Sequence, residues 1–148
     1  MATEPAALRG KILVVDDNPV IQRAVYFALR DYGYQVVMSG EIFHAIGIIR
    51  EEKPDLVLLD LSFPLDSINI GGPVQDGFFF IHWVRHTPEV EDIPIIIISA
   101  TEPAKYKERA DEAEIKVCLQ KPLKKEELLA AVQAILGGST ATAQPEPS

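Results

Sequence analysis

Cysteine is nearly absent from this chain. Cys118 stands alone among 148 residues, so no internal disulfide can form, and a reducing cytoplasmic setting is expected. A long hydrophobic run is missing too. The most apolar stretch, around Ile95–Ile98, is far too short to cross a bilayer. The opening MATEPAALRG lacks the apolar segment of a signal peptide. Positive charge is scarce, with 14 Lys and Arg against 22 Asp and Glu and a net charge of −8. That balance argues against nucleic acid or an anionic membrane as partner. No internal repeat is present.

What is there is an ordinary globular composition, 47% hydrophobic and 24% charged, in a length that suits one domain with a real core. The compact unit is expected over residues 9–136. The closing GGSTATAQPEPS, residues 137–148, is small and polar and reads as a flexible tail.

Strand and helix signals alternate throughout. Apolar strands are expected at Ile12–Val15, Gln35–Met38, Leu56–Leu59, Ile95–Ile98 and Ile115–Leu119. Helices are expected at Val20–Asp31, Ile42–Glu51, Gly77–Arg85, Ala104–Glu112 and Lys125–Leu136. Asp17 or Asn18 can cap the first helix, with Pro19 in its first turn, and Gly33 can end it. The runs ILVV, LVLL and IIII are continuously apolar, which suits parallel strands covered on both faces. Five such units in this order imply an α/β fold: a doubly wound five-stranded parallel sheet, flavodoxin-like, with helices on both faces.

In open sheets of this kind, chemistry gathers beyond the carboxyl ends of the strands. The first strand runs into Asp16 and Asp17, the third into Asp60, the fourth into Ser99, and the fifth into Lys121 and Pro122. Singly, these residues read as caps, turn residues or solvated charges. Together they place three acids, a hydroxyl and a lysine on one edge. At ~4 Å and an effective dielectric near 20, each ionised carboxylate pair costs on the order of 4 kcal/mol. A small hard cation with oxygen ligands removes that repulsion, and Mg²⁺ leaves room for a phosphate. The set is suited to holding a phosphoryl group beside a carboxylate nucleophile.

VVDDNP, LVLLD ending at Asp60, Pro64, the DG at Asp76–Gly77, IIIISA and the KP at Lys121–Pro122 all occur in order. With these motifs the sequence resembles the receiver domain of two-component response regulators, the single-domain, chemotaxis-type members in particular. The resemblance covers the whole compact unit and implies the strand order 2-1-3-4-5. It implies that Asp60 accepts a phosphoryl group from the phosphohistidine of a histidine kinase or phosphotransfer protein. Asp16, Asp17, Asp60 and the backbone carbonyl of Ser62 would hold Mg²⁺; Ser99 and Lys121 would bind phosphoryl oxygens. A cis Lys121–Pro122 bond is implied as well. Such a protein is a switch rather than a conventional enzyme, because its own side chain is consumed. No output segment follows the fifth helix, so the expected output is protein–protein contact.

Three other readings fit the sequence less well. A dinucleotide-binding domain needs a glycine-rich turn where DDNP stands. An aspartyl phosphohydrolase needs a second acid two residues after the nucleophile, but Ser62 follows Asp60 and Asn18 follows Asp16. A degenerate receiver, binding partners without being phosphorylated, conflicts with the intact set of five side chains.

Four further features carry expectations. The eleven residues Leu65–Gln75 form a loop beside Asp60 longer than the family usually carries, suited to a lid or a partner-selecting element. In the third helix, Phe80, Ile81 and Val84 should face the sheet, leaving Phe79 and Trp83 either as a docking patch or buried by tilt. His82 and His86 have zinc-like spacing but no third ligand nearby; with His44 they read as surface histidines. Cys118 stands where such domains often carry an aromatic ring. Strand alternation sets it opposite Val117 and Leu119, against the fourth or fifth helix, and a switch working by movement of that ring is not expected.

Overall fold

The computed structural model describes residues 10–61 and 77–136. Ser62, Pro64, the Leu65–Gln75 loop, Asp76, Arg9 and the tail 137–148 lie outside the described residues. The elements are β1 (Gly10–Val15), α1 (Pro19–Asp31), β2 (Tyr34–Ser39), α2 (Ile42–Glu52), β3 (Leu56–Asp60), α3 (Gly77–Arg85), β4 (Ile95–Ser99), α4 (Lys107–Glu112), β5 (Val117–Gln120) and α5 (Lys125–Leu136). All four strand pairings are parallel, in the order β2-β1-β3-β4-β5.

The continuous apolar runs have the expected cause. Successive side chains of a strand point to opposite faces, and here both faces are covered. Ile12, Val14, Leu56, Leu58 and Ile96 pack against Val25 and Leu29 of α1 and Leu128 and Val132 of α5. Leu13, Val15, Val57, Leu59 and Ile97 meet Ala45 and Ile49 of α2, Phe80, Ile81 and Val84 of α3, and Tyr106 and Ala110 at α4.

Local chemistry sets the ends of the elements. Asn18, not Asp17, caps α1; its side chain accepts from the N–H groups of Val20 at 2.8 Å and Ile21 at 3.3 Å. Gly33 takes the left-handed turn after α1 with φ 103°. Gly77 is needed for space, because a Cβ there would lie 2.6 Å from Leu61 Cδ2.

Two boundaries differ from expectation. The fourth helix is interrupted: Pro103–Lys105 forms a 3₁₀ turn, and Tyr106, with φ −128°, breaks the chain before α4 as its ring goes into the core. The fifth strand starts two residues late, at Val117. Glu114 adopts a left-handed φ of 62°, and the Ile115 N–H donates to the Ala110 carbonyl at 2.9 Å, so Ile115 closes α4 instead of opening β5.

At the end of the molecule away from the strand carboxyl termini, Arg85 ties three segments together. Its Nε donates to the Ala113 carbonyl, and its Nη1 to the carbonyls of Glu91 and Ile93, each at 2.9 Å. Burial lowers its pKa from the ordinary arginine value. Arg85→Leu should lose about 2–4 kcal/mol in urea unfolding followed by circular dichroism, because three carbonyls lose a charged donor. Arg85→Lys should recover only part, lacking the planar fork. A loss below about 0.5 kcal/mol for Arg85→Leu, the range of an ordinary surface change, would contradict the clamp.

Candidate functional site

The parallel sheet delivers Asp16, Asp60, Ser99 and Lys121 to one edge. Asp60 and Ser99 end β3 and β4, Asp16 follows β1, and Lys121 follows β5. Three of them are buried, with Asp16 at 0%, Asp60 at 1% and Ser99 at 1% exposure. Buried polar groups need partners, and the backbone supplies several. The Asp16 N–H donates to the Ser39 carbonyl at 3.0 Å, and Asp16 Oδ1 accepts from the Asn18 N–H at 2.9 Å. The Lys121 N–H donates to the Ser99 carbonyl at 2.8 Å, and Ser99 Oγ accepts from the Thr101 N–H at 3.0 Å. The Lys121–Pro122 bond is cis.

Asp16, Asp17 and Asp60 each offer a carboxylate oxygen, and the three lie within 4.8 Å of one another. Lys121 Nζ sits between two of them, 3.2 Å from Asp16 Oδ2 and 3.3 Å from Asp60 Oδ2. The sequence places no cation beside Asp16 and Asp17, whereas the fold brings one in from residue 121. Burial raises the Asp16 carboxyl to about 6. The N–H of Asn18 pulls it down, the Asp60 charge pushes it up, and Lys121 partly offsets both rises. Asp16 Oδ2 is buried without a hydrogen bond, its contact to Lys121 being an ion pair only. A buried anionic oxygen left in that condition, beside two more carboxylates, fits a hard divalent cation in both charge and donor type.

Ser62 lies outside the described residues. Phe80, Ile81 and Val84 are buried as expected, while Phe79 and Trp83 are half-buried against the same core. The most exposed ring nearby is Phe43 of α2, 63% exposed and 5.9 Å from Phe79 between centroids, which sequence reading did not single out. His82 and His86 are exposed and stacked on each other, and His44 Nδ1 lies 3.0 Å from Ser39 Oγ. Among the described residues, the acidic trio is the only cluster of candidate metal ligands.

Cys118 packs on the α4 side of the sheet, not against α5, while Val117 and Leu119 face α1 and α5. Burial raises its thiol pKa, so it is not an activated thiol. The aromatic ring in its neighbourhood comes from Tyr106, which sits edge-on to Phe78 at 6.2 Å; its buried hydroxyl makes no well-formed hydrogen bond and lies beside the Cys118 thiol. Nothing in the local sequence pattern marks Tyr106, because its burial depends on the break before α4.

Known proteins agree with this architecture. Residues 12–133 match the response regulator receiver domain. The chain is 29% identical to protein PilH of Pseudomonas aeruginosa over 129 residues, 87% of this chain and 99% of PilH. It is 30% identical to the phosphate regulon transcriptional regulatory protein PhoB of Escherichia coli (strain K12) over 126 residues, 85% of this chain, and spans about half of PhoB (51%). Among solved structures, the chemotaxis response regulator CheY4 of Vibrio cholerae superposes with a TM-score of 0.73 at 28% identity, covering 85% of this chain and 98% of that one. The receiver domain of the sensor histidine kinase PA1611 of Pseudomonas aeruginosa PAO1, which holds a magnesium ion in its active site cleft, superposes with a TM-score of 0.72 at 28% identity. That match covers 86% of this chain and 98% of the PA1611 domain. No helix among the described residues is long and apolar enough to cross a membrane. On fold, edge chemistry and these matches, the chain belongs to the response regulator receiver domain family.

Proposed function

We propose that this chain is a phosphoryl-accepting signalling switch, loaded on Asp60 from the phosphohistidine of a histidine kinase or phosphotransfer protein, with output by protein–protein contact. The observation that carries the reading is the acidic trio within 4.8 Å, bridged by Lys121 at 3.2 and 3.3 Å. A dinucleotide site has no use for that arrangement.

A carboxylate oxygen of Asp60 attacks phosphorus, the P–N bond to the donor imidazole breaks, and an acyl phosphate forms on Asp60. Lys121 is the fixed cation for the incoming phosphoryl oxygens, and the Ser99 hydroxyl is a donor to another. Asp16, Asp17 and Asp60 are the side chains suited to hold Mg²⁺; by the family resemblance the backbone carbonyl of Ser62 would be the further ligand. When bound, the metal supplies positive charge against the phosphoryl oxygens, leaving positioning and electrostatics as the main catalytic contributions. Asp16 would anchor both that charge and Lys121.

Loading would compete for groups already engaged. The Ser99 hydroxyl holds the Thr101 N–H at 3.0 Å. Drawing it toward a phosphoryl group releases Thr101 and, after it, the 3₁₀ turn Pro103–Lys105 that leads to Tyr106. The switch would therefore run along Ser99–Tyr106 rather than through a ring at Cys118.

Three outcomes are expected. Incubation with acetyl phosphate and Mg²⁺ should add one phosphoryl group by intact-mass measurement, and Asp60→Asn should add none; equal labelling of both would remove Asp60 from its role. With Mg²⁺ and a beryllofluoride phosphoryl analogue, amide NMR shifts should be largest over Thr101–Tyr106; changes confined to β5 would contradict the path. The third concerns pH. The Asp16 carboxyl, at about 6 in the fold against an ordinary ~3.9 when unfolded, binds its proton more tightly when folded. Its contribution is favourable below pH ~4 and is lost as pH rises through about 6. Without metal, Asp16→Asn should exceed the native chain in stability at pH 7.5 by about 1–2 kcal/mol, part of the shift being screened by the open cleft. The gap should close toward pH 4 in urea unfolding with EDTA and reverse with excess Mg²⁺. A pH-independent gap would show that desolvation of Asp16 is not its cause.

A further inference from the structure

Asp17 is the one member of the acidic trio that no side-chain bond holds among the described residues. It is exposed, and it is not the cap of α1, since Asn18 takes that role. Its position therefore depends on the peptide that joins it to Asp16. Every polar group of Asp16 is engaged: the N–H by Ser39, Oδ1 by Asn18, Oδ2 by Lys121. The fourth, the Asp16 carbonyl, accepts from Nε2 of Gln22, which reaches back from α1. That carbonyl belongs to the Asp16–Asp17 peptide itself.

Gly40 borders this contact. A Cβ on Gly40 would stand 3.4 Å from Gln22 Nε2, 3.7 Å from the Asp16 carbonyl oxygen and 3.7 Å from Asp17 Cα. One methyl group would be tolerated at those distances. A branched side chain would compete with the carboxamide for the same space.

We propose that Gln22, in the space left by Gly40, is a positioning residue for the metal site: it fixes the Asp16–Asp17 peptide so that the Asp17 carboxylate stays aimed at the cation. The inference rests on the reading of the acidic trio as a Mg²⁺ site. Groups that orient metal ligands without touching the metal typically matter about 10- to 100-fold in affinity. Gln22 acts on the backbone rather than on the carboxylate, so the low end applies.

The test is a MgCl₂ titration of the full chain, followed by the amide shifts of Asp16, Asp17 and Asn18, with thermal unfolding in EDTA measured alongside. Gln22→Met keeps the length and loses the donor; it should weaken Mg²⁺ binding about 10-fold. Gly40→Ala should behave as the native chain, and Gly40→Val should weaken binding as Gln22→Met does. The double variant Gln22→Met, Gly40→Val should be no weaker than either single one, because both remove the same contact. Unchanged Mg²⁺ affinity in Gln22→Met overturns the proposal, and so does a lowered melting temperature in EDTA with unchanged affinity, which marks a purely structural contact. Asp17→Ala separates the two levels. If it leaves Mg²⁺ affinity intact in the native background, the metal reading itself fails and the inference falls with it.

Discussion

Three carboxylates at the end of a buried parallel sheet are the constraint around which this molecule is organised. The mutual repulsion of the two buried ones, Asp16 and Asp60, opposes folding. The fold answers with one lysine. Lys121 Nζ, 3.2 Å from Asp16 and 3.3 Å from Asp60, joins the end of β5 to the ends of β1 and β3 across the sheet. Burial first, and the Asp60 charge after it, still raise the Asp16 carboxyl to about 6, and its Oδ2 stays without a hydrogen bond. An acidic edge compensated in this way has a standing affinity for added positive charge.

The rest of the architecture holds that edge in register. β1 and β3 are covered on both faces, so neither can slide without exposing apolar side chains, and Val15 is held opposite Leu59, one residue before Asp16 and Asp60. Gly77 lets α3 begin in close contact with Leu61 and Leu59, just past Asp60. At the other end, Arg85 ties the Glu91–Ile93 segment and the turn after α4 to α3. The segment from Ser99 to Tyr106 is built of turns: the Thr101 N–H donates to the Ser99 hydroxyl, the Gln120 side chain donates to the Ala100 carbonyl at 3.3 Å, and a 3₁₀ turn leads to the buried Tyr106 ring. Strands therefore carry the acids, and a turn segment carries the hydroxyl's neighbours. Such a division suits a site that must hold a charge in place and pass on a movement.

Much of this was legible in residue order. Continuous apolar runs marked buried parallel strands because a sheet covered on both faces needs no polar alternation, and the polar residue after each run marked the edge. Asn18 as the cap of α1 was one of two readings, and geometry chose it, which leaves the Asp17 carboxylate free. Two boundaries depart from the local sequence pattern for a shared reason. Ile115 looks like strand and Ala104 like helix by composition, but the left-handed Glu114 and the inward turn of Tyr106 follow from packing between α3, α4 and β5. Propensity is local, and those turns are not.

The sequence by itself determined the fold class, the five edge positions and the family resemblance, because strand period and the ends of apolar runs are properties of neighbours along the chain. Tertiary structure alone decided which groups touch. It brought Lys121 between Asp16 and Asp60, set Gln22 on the Asp16 carbonyl beside Gly40, and placed Tyr106 next to Cys118. The lysine lies far along the chain from both partners, and the tyrosine is separated from the cysteine by α4 and the turn after it. Gln22 lies on α1 and Gly40 in the bend between β2 and α2. No local pattern encodes such contacts, because they exist only once right-handed crossovers have stacked the helices on the sheet and its register has aligned the strand ends.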